Sequence, residues 1–260
     1  MANWRCAGVL AAAAAMAGTT PAAAQVWFDM PALMSPVVTN PCPDGRCPAV
    51  ESEPEPASPQ GDEAPALGAV LQRVVQGSSG AVAGQAGPAT FPYRPSISRR
   101  EARLAEFVAS VRMRDAAEAD ALAALFASTN IFAQIDTVMQ TAGLTATNLA
   151  DACTLWWIIA WHGAQGAEAT LDPAQAAAVR RQAGAALAAV PALARNDDAM
   201  RQMMAEEMLL QALLMDQAVT AAAKDAVQLE RVSDLIRRSA AAGGLDLDAQ
   251  ALTAEGFVPR

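Results

Sequence analysis

The chain has 260 residues, with 18 basic against 27 acidic side chains and a formal net charge of −9. This balance, with Lys224 as its one lysine, argues against nucleic acid and anionic membrane surfaces as partners, because binding a polyanion needs a Lys/Arg surface that releases counterions. Beyond the first 24 residues no apolar run approaches the roughly 20 residues of a membrane-spanning helix, so no integral membrane segment is expected in the mature chain.

Residues 1–24 read as an export signal. One positive charge lies in residues 1–5, an apolar run fills 6–18, and a short tail ends Ala22-Ala23-Ala24 before Gln25. That is the charged, apolar and small-residue order of a secretory signal peptide. Cleavage near Ala24-Gln25 and delivery to the periplasm or beyond are therefore expected.

Residues 25–95 hold most of the prolines, an acidic run around Glu51, Glu53 and Glu55, and a Gly/Ser/Ala stretch at 77–87. Such composition buries too little apolar surface to offset chain entropy, and it predicts a disordered linker. Trp27 and Phe28 could dock on a partner. Cys42 and Cys47 flank Pro43-Asp44-Gly45, a turn sequence that would bring two thiols together in an oxidising compartment. A local disulfide is expected there, with two reduced thiols as the alternative. The pair has too few neighbouring ligands for a structural zinc site. Leu67, Val70, Leu71, Val74 and Val75 fall on one stripe and predict a short helix over 64–76, either packed on its own domain or open to a partner.

From residue 96 to 260 helix signals recur. Ser98 with Glu101 forms a capping box and opens a helix carrying Leu104, Phe107, Val108 and Val111. Asp115 and Glu118 repeat the signal before Leu122, Leu125 and Phe126. A third helix spans about 131–141 and is closed by Gly143. A fourth begins after Thr147 and contains the densest apolar run, around Trp156, Trp157 and Trp161. Asp172-Pro173 opens a fifth, to about Val190. Asp197 or Asp198 opens a sixth, to about Ala223. The seventh covers about 225–242 and stops at Gly243-Gly244. No segment alternates convincingly with period two. Apolar on every side, the fourth helix is expected at the centre of the fold.

Several stretches carry a family likeness. Pro95-Ser96 with Arg99-Arg100, the segment from Asn148 and Asp151 to Trp157, and the closing Gly244-Leu245 through Gly256-Phe257 resemble a family of exported bacterial proteins of unknown function. The resemblance covers about 95–260. It implies secretion and a domain of that extent, and it carries no catalytic residue, ligand or partner.

Candidate chemistry is sparse. The single His, His162, is expected near the C-terminus of the fourth helix, where the helix dipole favours an imidazolium. Asp151 lies three turns earlier on the same helix, so the two cannot touch; an acid/base pair would need Glu206 or Glu207 from another helix. A buried Asp151 calls for a partner, with Arg103, Arg180 and Arg181 as candidates. Trp157 and Trp161 share a face and could stack a ligand, although buried aromatics more often build core. Cys153 reads as a buried, inert thiol. Met200, Met203, Met204, Met208 and Met215 could bind Cu(I) through thioethers, yet their helical spacing favours core.

These readings predict an all-α protein: a single bundle-like domain of about seven helices around a buried Trp-rich helix, preceded by a disordered linker. The expected function is an exported, soluble binding or interaction module of the cell envelope, its candidate partner an envelope protein. The alternative is an envelope hydrolase, or a small-ligand-binding protein, with an interhelical acidic pocket at Asp151, Trp157, Trp161 and His162. No cofactor and no metal are expected.

Overall fold

A computed structural model describes residues 2–3, 67–77, 90–113, 115–190 and 197–260. Apart from residues 2–3, the export signal, residues 25–66 and 78–89 of the linker expected over 25–95, the Trp27-Phe28 pair and the Cys42–Cys47 pairing lie outside the described residues. Eight helices are described: α1 (Leu67–Gly77), α2 (Ile97–Arg112), α3 (Ala116–Ser128), α4 (Ile131–Gln140), α5 (Leu149–Ala164), α6 (Pro173–Ala188), α7 (Asp198–Ala222) and α8 (Ala226–Ala242). Two small antiparallel ladders accompany them. β1 (Ala2–Asn3) pairs with β2 (Thr170–Leu171), and β3 (Gln250–Thr253) pairs with β4 (Gly256–Pro259).

The architecture follows from α5. Every residue from Leu149 to Ala160 is buried, so the helix has no solvent face. It can be stable only when jacketed, and its neighbours are α7, α6 and α8, with α7 packing along it most extensively. The jacketing helices begin at side-chain caps, and α7, buried or half-buried along most of its length, shares the core with α5. Asp172 accepts from the amides of Ala174 and Gln175, Asp197 from Ala199 and Met200, and Asp225 from Val227 and Gln228. Each cap satisfies amides that the first helical turn leaves without partners. At Gly163 α8 comes very close: a Cβ there would sit 2.6 Å from Ile236 Cδ1, so a larger residue would force the Ile236 side chain to shift.

Three features depart from the sequence reading. The packed unit reaches upstream of residue 96. Val70, Leu71 and Val75 of α1 join the main core, as do Phe91 and Tyr93, and α1 docks on α6 and β4. The cap of α2 is Ser96 rather than Ser98; Ser96 Oγ accepts from the Arg99 amide, and Ser98 Oγ sits beside it at 3.1 Å. The chain also closes with a β-hairpin that period-two counting misses, because Gln250 is fully buried and Gly256 and Phe257 are buried consecutively. Gly256 turns that hairpin with φ +101°, and a Cβ there would lie 2.5 Å from Gln182 Oε1; both facts restrict the position to glycine.

The rest of the core divides unevenly. One large cluster surrounds α5, including Trp157, Leu187, Met208 and Phe257. A satellite of Phe107, Val111, Ala119 and Leu122 lies within the α2–α3 pair, with Leu214 of α7 packed against it. Among the described residues no single helix is long and apolar enough to cross a membrane.

Candidate functional site

The polar and aromatic residues singled out by the sequence fall into three groups around α5. At its N-terminal end Asn148 caps the helix through the Ala150 amide and also accepts from the Phe91 amide, tying the segment before α2 to α5. One turn further on, Asp151 is completely buried. Its Oδ2 accepts from the Thr145 amide at 3.0 Å, and Arg180 Nε of α6 lies 2.5 Å from Oδ1, close in distance but not aligned as a hydrogen bond. Of the three arginines considered, Arg180 is thus the partner. Arg103 pairs with Glu106, and Arg181 donates to the Ala177 carbonyl. Burial pushes the Asp151 carboxyl above its ordinary range, while the Thr145 amide and the Arg180 charge pull it partly back.

The second group is aromatic. Trp157 is fully buried, stacks on Phe257 at 4.4 Å and donates through Nε1 to Gln250 Oε1 at 3.1 Å. Trp161 Nε1 donates to the Gln250 carbonyl, and Trp156 Nε1 to Gln211 Oε1. Each indole therefore has the partner that a buried N–H requires. The chain of amides continues outward. Gln250 Nε2 donates to Gln72 Oε1 of α1, which also accepts from the Asp246 amide. Gln182 brackets Phe257, donating to its carbonyl at 2.7 Å and accepting from its amide at 2.9 Å. It acts as an extra strand beside β4.

The third group lies where α2 meets α7. Gln202, buried, repeats the bracket on Ser96, accepting from its amide and donating to its carbonyl, both at 2.9 Å. Glu206 accepts from Arg100 Nε at 2.8 Å and from Gln202 Nε2 at 3.1 Å. The Arg100 guanidinium lies over the Phe132 ring, 4.5 Å from its centroid. Tyr93 donates to the Ala146 carbonyl, and burial, with Glu206 nearby, holds its hydroxyl above the ordinary range. Glu207, on the next position of α7, is likewise raised by burial, with Arg103 and a hydrogen bond from Gln211 pulling the other way.

His162 stands apart from all three. It occupies the last turn of α5, as expected, but desolvation lowers its pKa, and its Nε2 is buried with no hydrogen-bond partner. Burial thus works against the imidazolium that the helix C-terminus would favour. At about 1.5 Å rise per residue it sits about 16 Å from Asp151 along the helix, and Glu206 is committed to Arg100. Asp151, His162 and Glu206 thus each sit in a separate setting. Cys153 is fully buried and its thiol is pushed up to about 12. Met204, Met208 and Met215 are buried in the main core, and Met200 and Met203 pack against it. Among the described residues no group of three His, Cys, Asp or Glu side chains could hold a metal ion.

The sequence reading missed the glutamines. Gln72, Gln182, Gln202, Gln211 and Gln250 carry many of the polar ties between elements. The signal that could have found Gln202 is its place on the same α7 face as Ala205, Glu206 and Leu209, all buried.

Fold and ties together define an all-helical domain with a C-terminal β-hairpin, organised around a helix without a solvent face. The chain belongs to a family of unknown function, DUF6683, whose model matches residues 72–260. The match begins inside α1 and ends with β4 and the last residue, so it takes in nearly all of the packed helices. Neither the curated proteins nor the solved structures contain a match.

Proposed function

We propose that this chain is an exported helical interaction module of the cell envelope, carried on an N-terminal tether and working by binding an envelope protein. The observation that supports the reading is the fate of the chemically capable groups. Asp151 is held by Thr145 and Arg180, Glu206 by Arg100 and Gln202, and the three indoles of α5 by glutamine or backbone oxygens. Residues spent in this way build a rigid body, and what such a body offers a partner is its outer helical surface. The leader-like start and the Pro-rich, acidic segment before α1 support export and tethering. Removal of the leader would take β1 away and cost the domain one two-residue ladder.

The test is to express the intact chain with its leader, fractionate the cells and weigh the protein by native mass spectrometry. A chain beginning at Gln25, recovered from the envelope in a stoichiometric complex with one protein, supports the reading. A chain still beginning at Met1, or one carrying a small molecule and no protein, overturns it.

A further inference from the structure

We infer that the α2–α3 hairpin is a latch that opens as a unit while the body around α5 stays folded. The hairpin has its own small core. Phe107, Val111, Ala119 and Leu122 cluster apart from the main core, and Phe126 bridges the two, its ring 6.1 Å from that of Phe107. Of the sixteen residues of α2, only Phe107 and Val111 are buried.

Its attachment to the body combines polar ties at the root with a modest set of apolar contacts, Leu214 of α7 against the satellite core among them. Gln202 brackets Ser96, Glu206 holds Arg100, and Arg100 covers Phe132. Leu104, Leu125 and Phe126 supply the apolar share on the hairpin side. Both joints are short and flanked by anchors that belong to the body. On one side Arg94 and Pro95 are exposed, next to Tyr93, which is buried and bonded to Thr147 and Ala146. On the other, Thr129 and Asn130 precede buried Ile131. A unit with a small core of its own, a mostly exposed first helix and two short joints has a lower opening free energy than the structure as a whole. Opening this one uncovers Leu214 of α7, the Phe132 ring and the neighbouring carboxylates Glu206 and Glu207.

The test is native-state hydrogen exchange on the intact chain, followed by mass spectrometry or NMR. Amides of α2 and α3 exchange through one shared opening at least tenfold faster than those of α5 and α7. Two substitutions then separate local from global opening. Ile236→Val in α8 weakens the body only, so α5 exchange rises by about three- to tenfold while hairpin exchange stays unchanged. Phe107→Ala weakens the hairpin's own core and the seat of Leu214 against it, and hairpin exchange rises by at least tenfold. A single opening shared by α2, α3 and α5, or an Ile236→Val change that speeds hairpin and α5 amides alike, overturns the latch.

Discussion

Helix α5 and the longer α2–α3 hairpin are both helical but are held by opposite means. α5 is buried from Leu149 to Ala160 and draws its stability from its neighbours' apolar faces, with its three indoles matched by glutamine or backbone oxygens and Asp151 by Arg180 and the Thr145 amide. The hairpin buries four residues in its own core and meets water along most of α2, with ion pairs such as Arg103–Glu106 and Arg112–Asp120 on its surface. The difference teaches where this chain keeps its stability. Cooperative strength resides in contacts across α5, and the hairpin adds length and surface at a smaller stake.

The strongest blow to the comparison falls on Trp157. Trp157→Ala removes a fully buried indole, its stack on Phe257 and its bond to Gln250. Large-to-small changes of this kind cost about 3–5 kcal/mol, a large share of the roughly 5–15 kcal/mol typical of a domain. The urea midpoint should drop accordingly. Phe107→Ala, in the satellite core, should cost clearly less; equal losses would mean that the two regions are one cooperative core.

Next comes Arg180→Met, which leaves the Asp151 carboxylate buried beside Thr145 alone. Breaking a buried ion pair by removing one partner costs about 3–5 kcal/mol; the low end is expected here, because Arg180 remains 31% exposed. The pH dependence carries a sign that checks the cause. Asp151 is raised in the fold, so its native state holds the proton above the unfolded value near ~3.9. Its contribution is then fully present below that value and is lost as pH rises through the folded pKa. Without Arg180 the folded pKa climbs further and the losing window widens. The variant's deficit in urea midpoint should therefore be larger at neutral pH than near pH 4; a pH-independent deficit would remove the carboxylate from the account.

Much of this was legible in the residues. The helices from α2 to α8 were expected within a few residues of their ends, because caps at Asp172, Asp197 and Asp225 and the stop at Gly143 are local signals that tertiary packing does not overrule. The centrality of α5 was legible from its lack of a polar face, and the short helix ahead of the domain from its apolar stripe. What could not be read is non-local. Whether α1 frays or docks depends on α6 and β4, elements a hundred or more residues away. The choice of Arg180 over Arg103 or Arg181 depends on how α5 and α6 cross. The bracket made by Gln182 leaves no trace in sequence, since an exposed helical glutamine and a buried one are spelled alike, and for Gln202 the sequence offers its face on α7 but not its partner. His162 was placed on the right turn, because its position follows from counting, but its desolvation comes from neighbouring elements and could not be read.

His162 also provides a cleaner, smaller test, being the only histidine in the chain. Its folded pKa is lowered, so the fold favours the neutral ring. Stability from this source is fully present above the unfolded value near ~6.5 and is lost as pH falls through the folded pKa. Replacing it as His162→Gln should flatten the acid side of the stability profile just below pH 6.5. A slope that persists would assign it to other groups and return His162 to the role of a spectator.

The smallest effect should come from the hairpin's own surface, and it sharpens the comparison more than its size suggests. Arg112 and Asp120 meet at 2.6 Å with 48% and 70% of their side chains exposed, so they link α2 to α3 in full view of water. Exposed pairs of this kind are worth about 0–1 kcal/mol and are screened by salt. Arg112→Ala should shift the urea midpoint by an amount near the resolution of the measurement, and that shift should fade in high salt. If it instead matched Arg180→Met, the hairpin would be held by charge as firmly as α5 is held by burial, and the division between a deep, cooperative body and a lightly held appendage would not stand.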